Sequence, residues 1–283
     1  MPNPRRPTFV GIGVPRAGTT WLHEYLNSHP HAYTTRSRKE VHYFDREYHR
    51  GEDWYLKFFS ESSSQHIVRG EFTPHYFYNT DCIDRIRDFG IRKVVLTLRD
   101  PVDRVWSNYQ FKRKQDGFEG SLNQFLEAYP EMVSWSTYAS HLGPWLDAFG
   151  SNLCILVYEE VSRNHQALAS TLSSALGLSE KLFMSEAGVQ RVNASSIPKR
   201  RMIYRMSLKA NRWLMDRDFD VVVNSLKQVP GLMKFLRQAD QTADLELRDK
   251  DVHQLQLAEM FLPSVSELQS MVNIDVTMWK SLR

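Results

Sequence analysis

The sequence is poor in the features that mark several large classes of protein. It has two cysteines in 283 residues, too few for a disulfide scaffold, so we expect Cys82 and Cys154 to be free thiols. The 36 Lys and Arg nearly balance the 33 Asp and Glu, which argues against a nucleic-acid partner. No apolar run is long enough for a signal peptide or a membrane span, which predicts a cytoplasmic protein. The ten histidines form no H-x-x-x-H pair and have no matching cysteines, which predicts no metal site.

Short apolar segments alternate with helical patterns along the chain. Such an alternation is typical of an α/β protein whose parallel strands are joined by helices. The sequence predicts a central parallel sheet flanked by helices, a helical C-terminal part, and one domain over 1–283. The predicted strands are 8–14, 66–71, 92–98 and 152–158.

A glycine-bearing loop follows the first predicted strand, in residues 11–22, GIGVPRAGTTWL. Gly13 and Gly18 bracket four residues, which is the glycine spacing of a nucleotide-binding P-loop. Backbone N–H groups in such a loop turn towards an anion at a helix N-terminus. Thr19 stands where a P-loop has lysine, and the cation lies inside the loop as Arg16. The pattern predicts a P-loop-like phosphate site without the usual lysine.

A second polar motif follows another predicted strand, in residues 94–109, VVLTLRDPVDRVWSNY. Pro101 suits the first turn of a helix, which places Arg99 at the strand's end and Ser107 two turns into the helix. An arginine and a hydroxyl in these positions can converge on one phosphate. The two motifs together predict that two phosphate groups bind at the carboxyl edge of the sheet.

The two motifs resemble those of sulfotransferases that use 3′-phosphoadenosine 5′-phosphosulfate (PAPS). Pro-Arg-Ala-Gly-Thr-Thr-Trp resembles the family's 5′-phosphosulfate loop, and Arg-Asp-Pro-x-x-Arg-x-x-Ser-x-Tyr resembles its 3′-phosphate motif. The resemblance implies that PAPS is the donor, that PAP is the product, and that no metal is needed. It implies that Arg16 also stabilises charge on the departing 5′-phosphate. The donor-binding residues that it implies are Arg16, Ala17, Gly18, Thr19, Thr20, Trp21, Arg99 and Ser107.

A third stretch resembles the heparan sulfate and other carbohydrate sulfotransferases. The matching strings are 40–45, 53–56 and 70–77. By this resemblance Glu40 is the catalytic base. His75 and His42 are rival bases, since the phenol and steroid sulfotransferases use a histidine.

The third stretch departs from that subfamily at one position. Phe72 stands where the heparan-type enzymes have the lysine of Glu-Lys-Thr-Pro. Arg16 is then expected to carry the leaving-group charge alone. We also expect Phe72 to form an aromatic wall for an acceptor with an apolar part.

The region after residue 188 carries two further expectations. Lys199 and Arg200 match loosely the family's basic loop over the 3′-phosphate. An apolar stripe at helical spacing then predicts core packing, with a lid for an apolar acceptor or an anionic membrane surface as alternatives. The stripe is formed by Ile203, Met206, Ala210, Trp213 and Leu214.

The sequence as a whole predicts a PAPS-dependent O-sulfotransferase. We expect the acceptor to be a hydroxyl of a small molecule or a glycan, because a carboxylate base suits O-sulfation. A P-loop nucleotide kinase is the alternative enzyme, disfavoured by the missing lysine. A non-catalytic nucleotide-binding scaffold is the other alternative, disfavoured by Glu40.

Overall fold

The structure is a computed structural model, and it describes most of the chain up to residue 182 and the C-terminal helical part. The described residues are 6–163, 165–182, 197–198, 206–207, 210, 213–214, 217–219, 225, 239–240 and 246–282.

A five-stranded parallel sheet forms the centre of the fold, in the order β2-β3-β1-β4-β5. Its strands are β1 (Phe9–Gly13), β2 (Ala32–Thr34), β3 (Val68–Phe72), β4 (Lys93–Leu98) and β5 (Leu153–Val157). Four of them confirm the predicted strands to within two residues. The edge strand β2 was missed because three residues are too short for a periodic signal.

Helices connect the strands and cover both faces of the sheet. A two-residue antiparallel pair, Ile197–Pro198 with Ala239–Asp240, lies outside the main sheet. The α-helices whose bounds lie within the described residues are α1 (Thr19–Asn27), α2 (Glu52–Leu56), α3 (Asp81–Asp88), α4 (Pro101–Asp116), α5 (Leu122–Ala128), α6 (Glu131–Ser134), α7 (Ala139–Phe149), α8 (Tyr158–Arg163), α9 (His165–Leu176) and α10 (Glu246–Met271). This arrangement confirms the predicted α/β class with a helical C-terminal part.

Two clusters of buried apolar side chains pack against the sheet, one on each side. Val10 and Ile12 of β1 pack in one layer, whereas Phe9 packs in the other with α1. This division follows the alternation of side chains along a strand. Both cysteines are free thiols, as predicted.

Phe72 lies in the core and does not form an acceptor wall, so that expectation was wrong. Its side chain is 1% exposed and contacts the ring of Phe9 edge to face at 5.7 Å. Gly11 makes room for it, because a Cβ there would lie 1.9 Å from the Phe72 ring. Phe72 therefore belongs to the layer beneath α1.

The order of the strands brings the two phosphate motifs together. β1 lies between β3 and β4, and the chain leaves β1 and β4 at the same edge of the sheet. Neighbouring parallel strands whose connections run to opposite sides leave a crevice at their carboxyl ends. The glycine-bearing loop after β1 and Arg99 after β4 border this crevice.

The C-terminal part packs against α4. Leu257 and Phe261 of α10 share an apolar cluster with Val105 and Tyr109 of α4. None of the described helices has both the length and the apolarity needed to cross a membrane.

Candidate active site

The loop between β1 and α1 has the backbone of an anion-binding turn. Gly18 has φ 80°, and α1 begins at the next residue, Thr19. A Cβ at Gly18 would also lie 2.7 Å from the ring of Tyr158. Glycine is therefore required for both its left-handed conformation and its contact with Tyr158.

Arg16 extends from this loop towards α4. It has φ 72°, which is uncommon outside glycine, and such positions cluster at functional sites. Its Nε donates to Ser107 Oγ at 3.0 Å, and its guanidinium lies 4.7 Å from the centre of the Phe111 ring. Burial and the neighbouring Arg99 lower the pKa of Arg16. The contact with Ser107 joins the two phosphate motifs directly.

Arg99 lies beside the same loop. Its Nη1 donates to the backbone oxygen of Arg16 at 2.8 Å, and its guanidinium lies 4.7 Å from the centre of the Tyr158 ring. Its Nε is buried and finds no hydrogen-bond partner among the described residues. Within that same part of the chain, neither Arg99 nor Arg16 forms an ion pair with a carboxylate. Two close arginines with spare donors form an environment that favours a polyanion.

Other polar residues of the second motif hold α4 in place. Asp100 caps the helix, because its side chain accepts from the N–H groups of Val102 and Asp103. Arg104 is buried and donates from Nε to Ser136 Oγ and from Nη2 to the Met132 oxygen, both at 2.9 Å. These buried residues fix the position of α4 and do not border the crevice.

Glu40 lies in the loop after β2, half-buried and next to the phosphate loop. Lys39 Nζ is 3.1 Å from Glu40 Oε1 and 3.4 Å from Thr19 Oγ1. Burial raises the pKa of Glu40, but Lys39 and the nearby His42 and His75 outweigh it and lower the pKa below its usual value. Glu40 is therefore an ionised carboxylate at neutral pH.

Two histidines lie on the other side of Glu40. His42 Nδ1 is 2.9 Å from Asp45 Oδ2, and His42 Nε2 is 3.9 Å from Glu40 Oε2. The ring of His75 lies 5.7 Å from that of His42, and burial lowers the pKa of His75. Both rival bases therefore border the candidate base that the sequence favoured.

These three residues also have the ligand types of a metal centre. One ligand atom from each of Glu40, His42 and His75 lies within 4.8 Å of the others. The sequence predicted no metal site, because the three are not spaced as a metal motif along the chain. The ammonium of Lys39 beside Glu40 disfavours a second cation there through like-charge repulsion.

A third histidine, His23 of α1, is buried beneath the site. Burial, with Lys39 as the next cause, lowers its pKa to about 4. Its ring lies 6.5 Å from that of Phe72, and its Nδ1 has no hydrogen-bond partner in the described part of the chain. His23 is therefore neutral at physiological pH.

The fold thus gathers most of the predicted site residues at one edge of the sheet. Ala17 is buried in the loop, Thr20 follows Thr19 in α1, and the Trp21 ring stacks on that of Tyr25 at 4.6 Å. Lys199 and Arg200 lie outside the described residues. The expectation of core packing was wrong for three members of the apolar stripe, because Met206 is 65% exposed, Trp213 is 53% exposed and Ala210 is exposed as well. Leu214 is half-buried, and Ile203 lies outside the described residues.

Sequence reasoning missed Lys39 and Tyr158 as members of the site. Lys39 precedes the candidate base, but its contact with Thr19 joins residues 20 positions apart. Tyr158 follows β5 and packs between Gly18 and Arg99. A signal was available for Tyr158, because the residue after a parallel strand lies at the ligand edge of the sheet.

Comparison with known proteins finds matches over most of the chain. The family model for the sulfotransferase domain matches residues 6–201, a range that contains both phosphate motifs and Glu40. A crystal structure of a sulfotransferase from Alicyclobacillus acidocaldarius has the same fold, with a TM-score of 0.65 and 20% identity over 97% of this chain and 99% of that one.

This chain aligns with only part of the length of its curated relatives. Heparan sulfate glucosamine 3-O-sulfotransferase 3B1 of Mus musculus is 34% identical over 153 residues, which is 50% of this chain and 38% of the relative. Bifunctional heparan sulfate N-deacetylase/N-sulfotransferase 3 of Mus musculus is 29% identical over 209 residues, or 65% of this chain and 24% of the relative. The matched segments span less than two fifths of either relative.

Proposed function

Because the chain belongs to the sulfotransferase domain family, we propose that it transfers a sulfuryl group from PAPS to an acceptor hydroxyl. The observation that carries the proposal is the pair Arg16 and Arg99, which lack carboxylate partners among the described residues and lie beside a left-handed phosphate loop. An ionised carboxylate, Glu40, lies on the other side of the same loop. A binding site for a donor with several negative charges thus adjoins a proton acceptor.

The donor would be bound by the residues that join the two motifs. The N–H groups around Gly18, Thr19 and Thr20 would bind the 5′-phosphate at the start of α1. Arg99 and Ser107 would bind the 3′-phosphate, and Arg16, which already contacts Ser107 at 3.0 Å, would span both groups. Lys199 and Arg200 remain predicted contacts of the 3′-phosphate.

The transfer step needs a base and a way to stabilise the leaving group. The acceptor oxygen attacks sulfur, the sulfur–oxygen bond to the 5′-phosphate breaks, and the phosphate oxygen keeps that electron pair. Glu40 takes the proton of the acceptor hydroxyl. The N–H groups of the loop and Arg16 stabilise the charge that grows on the phosphate. PAPS and PAP are therefore the proposed donor and product, with no step assigned to a metal.

We propose a hydroxyl acceptor because the carboxylate of Glu40 suits removal of a hydroxyl proton. The relatives named above include both a 3-O-sulfotransferase and an N-sulfotransferase, so an amine acceptor is the competing outcome. Glycans and small molecules are both proposed acceptor classes, and nucleic acid is not. A cytoplasmic location stays a prediction from the sequence.

The direct test is transfer of radiolabelled sulfuryl from PAPS. The purified chain would be incubated with labelled PAPS and a panel of glycans and small molecules, including matched pairs with a hydroxyl or an amine at the same position. The proposal predicts label on hydroxyl acceptors and loss of transfer in Glu40→Gln. Label on amines alone would contradict the O-sulfotransferase assignment, and preference for phosphoryl transfer from ATP would contradict the class of reaction.

A further inference from the structure

Lys39 occupies a position that the proposed mechanism has not used. Its ammonium contacts two parts of the site at once, Glu40 Oε1 at 3.1 Å and Thr19 Oγ1 at 3.4 Å. Thr19 begins α1 and stands where a P-loop has its lysine. A cation supplied from the loop after β2 therefore lies beside the first turn of α1.

We propose that Lys39 is a further catalytic residue, which binds the transferring sulfuryl group and the oxygen that it leaves. This inference rests on the proposed sulfuryl transfer and adds a residue to it. It replaces the expectation that Arg16 carries the leaving-group charge alone.

In the described part of the chain, the hydrogen bonds and ring contacts of the other two cations are with α4, the loop backbone and Tyr158. The Arg16 guanidinium faces Ser107 and Phe111 on α4, and Arg99 donates to the loop backbone and rests on Tyr158. Among the residues that the structure describes, Lys39 is the cation within hydrogen-bond reach of both the phosphate loop and the base. Its side chain is 23% exposed, so its charge is only partly screened by water.

The balance of charge in the transfer gives Lys39 its role. As the sulfur–oxygen bond to the 5′-phosphate breaks, the electron pair stays on the phosphate oxygen and negative charge grows at the loop. The new bond joins the acceptor oxygen to sulfur, and the acceptor proton passes to Glu40. An ammonium beside Thr19 stabilises the growing charge without moving a proton of its own.

Lys39 has a second effect on the same step. Its charge lowers the pKa of Glu40 and keeps this base ionised. When Lys39 is removed, the pKa of Glu40 should rise, because burial then opposes ionisation with less compensation. The acidic limb of the activity profile should therefore move to higher pH, a change that a lysine without an electrostatic effect on Glu40 would not produce.

The test compares Lys39→Met and Lys39→Arg with a matched control, Lys57→Met, whose lysine is exposed and precedes no site residue. The measurements are PAP affinity by calorimetry, kcat with labelled PAPS, and the pH dependence of kcat. PAP lacks the sulfuryl group but keeps the phosphate oxygen that the sulfuryl group leaves, so PAP affinity should fall by less than kcat in Lys39→Met. We expect kcat to fall by about 10²–10³-fold with the acidic limb shifted upward, and Lys39→Arg to recover part of the loss.

Two results would overturn the inference. One is full kcat in Lys39→Met, and the other is a loss of kcat that is matched by an equal loss of PAP affinity, since a general disruption of the loop would weaken both. Failure of the proposed function looks different, because the wild-type chain would then transfer no label from PAPS at all.

Discussion

At the scale of single residues, the account depends on the two oxygens of Glu40. Oε1 accepts from Lys39 at 3.1 Å, and Oε2 lies 3.9 Å from His42 Nε2. The carboxylate thus lies between the Lys39 ammonium and the His42 imidazole. A base placed in this way is ionised before the acceptor arrives.

Replacing Glu40 by glutamine should separate proton transfer from donor binding. Glutamine keeps the size of the side chain but cannot take the acceptor proton, so kcat should fall by about 10²–10⁴-fold while PAP affinity stays the same. His75→Ala should have a much smaller effect. The measurements are single-turnover transfer of label and calorimetric titration with PAP.

The pH profile of activity distinguishes a Glu40 base from a histidine base only when it is combined with the substitutions. The lowered pKa of Glu40 predicts that activity persists into mildly acidic solution. Burial lowers the pKa of His75 as well, so a His75 base would also stay active somewhat below pH 6.5. A nearly active Glu40→Gln enzyme beside an inactive His75→Ala or His42→Ala enzyme would contradict the assignment.

At the scale of elements, the start of α4 links the donor site to the C-terminal end of the chain. Asp100 is buried, and its carboxylate accepts hydrogen bonds from Val102 N at 3.0 Å and Ser281 N at 3.1 Å. It also accepts a hydrogen bond from the hydroxyl of Ser281. Glu159 accepts from Asp100 N at 3.1 Å and Trp279 Nε1 at 3.0 Å. Arg99 immediately precedes this cap, so the C-terminal segment helps to fix the position of Arg99.

Asp100→Ala should weaken both the fold and the donor site. Loss of the cap and of the buried acceptor for Ser281 should lower the free energy of unfolding by about 2–4 kcal/mol. PAP affinity should fall as well, because Arg99 loses its support. The measurements are urea denaturation and calorimetry.

Asp147→Ala is the matched control for this change, since Asp147 is exposed on α7. It should leave both quantities unchanged. Ser281→Ala should produce a smaller loss of stability in the same direction as Asp100→Ala. An Asp100→Ala chain as stable as wild type would show that the cap does not couple the two segments.

At the scale of the whole molecule, local sequence patterns predicted the sheet and both phosphate motifs. The loop with Arg16 and the helix with Ser107 each lie within about a dozen residues of their strand, so spacing alone places them at the ligand edge. The orientation of Phe72 was also predictable, because the period of a strand puts it on the same face as Val68 and opposite Glu71. Resemblance to enzymes with lysine at this position suggested the wrong face.

Contacts between distant segments were beyond the reach of sequence patterns. The Lys39–Thr19 contact depends on how the loop after β2 crosses the start of α1. The placing of Tyr158 under Arg99 depends on the pairing of β4 with β5. Neither contact follows from spacing within one element, although the position of Tyr158 directly after β5 predicts that it lies at the ligand edge of the sheet.

Glu71 gives the whole molecule a testable dependence on pH. It is fully buried, accepts from Thr73 Oγ1 at 2.7 Å, and burial raises its pKa to about 8 from 4.5. Between these two values the folded state holds a proton that the unfolded state releases. The free energy of unfolding should therefore fall as pH rises through this window.

Glu71→Gln cannot ionise and should remove this part of the pH dependence. Urea midpoints of wild type and Glu71→Gln would be compared at pH 5 and pH 8.5. The wild type should lose stability between the two, by an amount on the order of a few kcal/mol, whereas the variant should lose less. Equal losses in the two proteins would show that Glu71 is already ionised in the fold.

The central claim, a donor site built from the two phosphate motifs, is tested most directly by calorimetric titration with PAP and, separately, with ATP and Mg²⁺. We expect PAP to bind more tightly than ATP, and Arg99→Ala to weaken PAP binding by about 1.5–3 kcal/mol. Arg92→Ala, at the opposite end of β4 and exposed, should bind PAP like the wild type. Preference for ATP, or an Arg99→Ala chain that binds PAP as tightly as the wild type, would contradict the account.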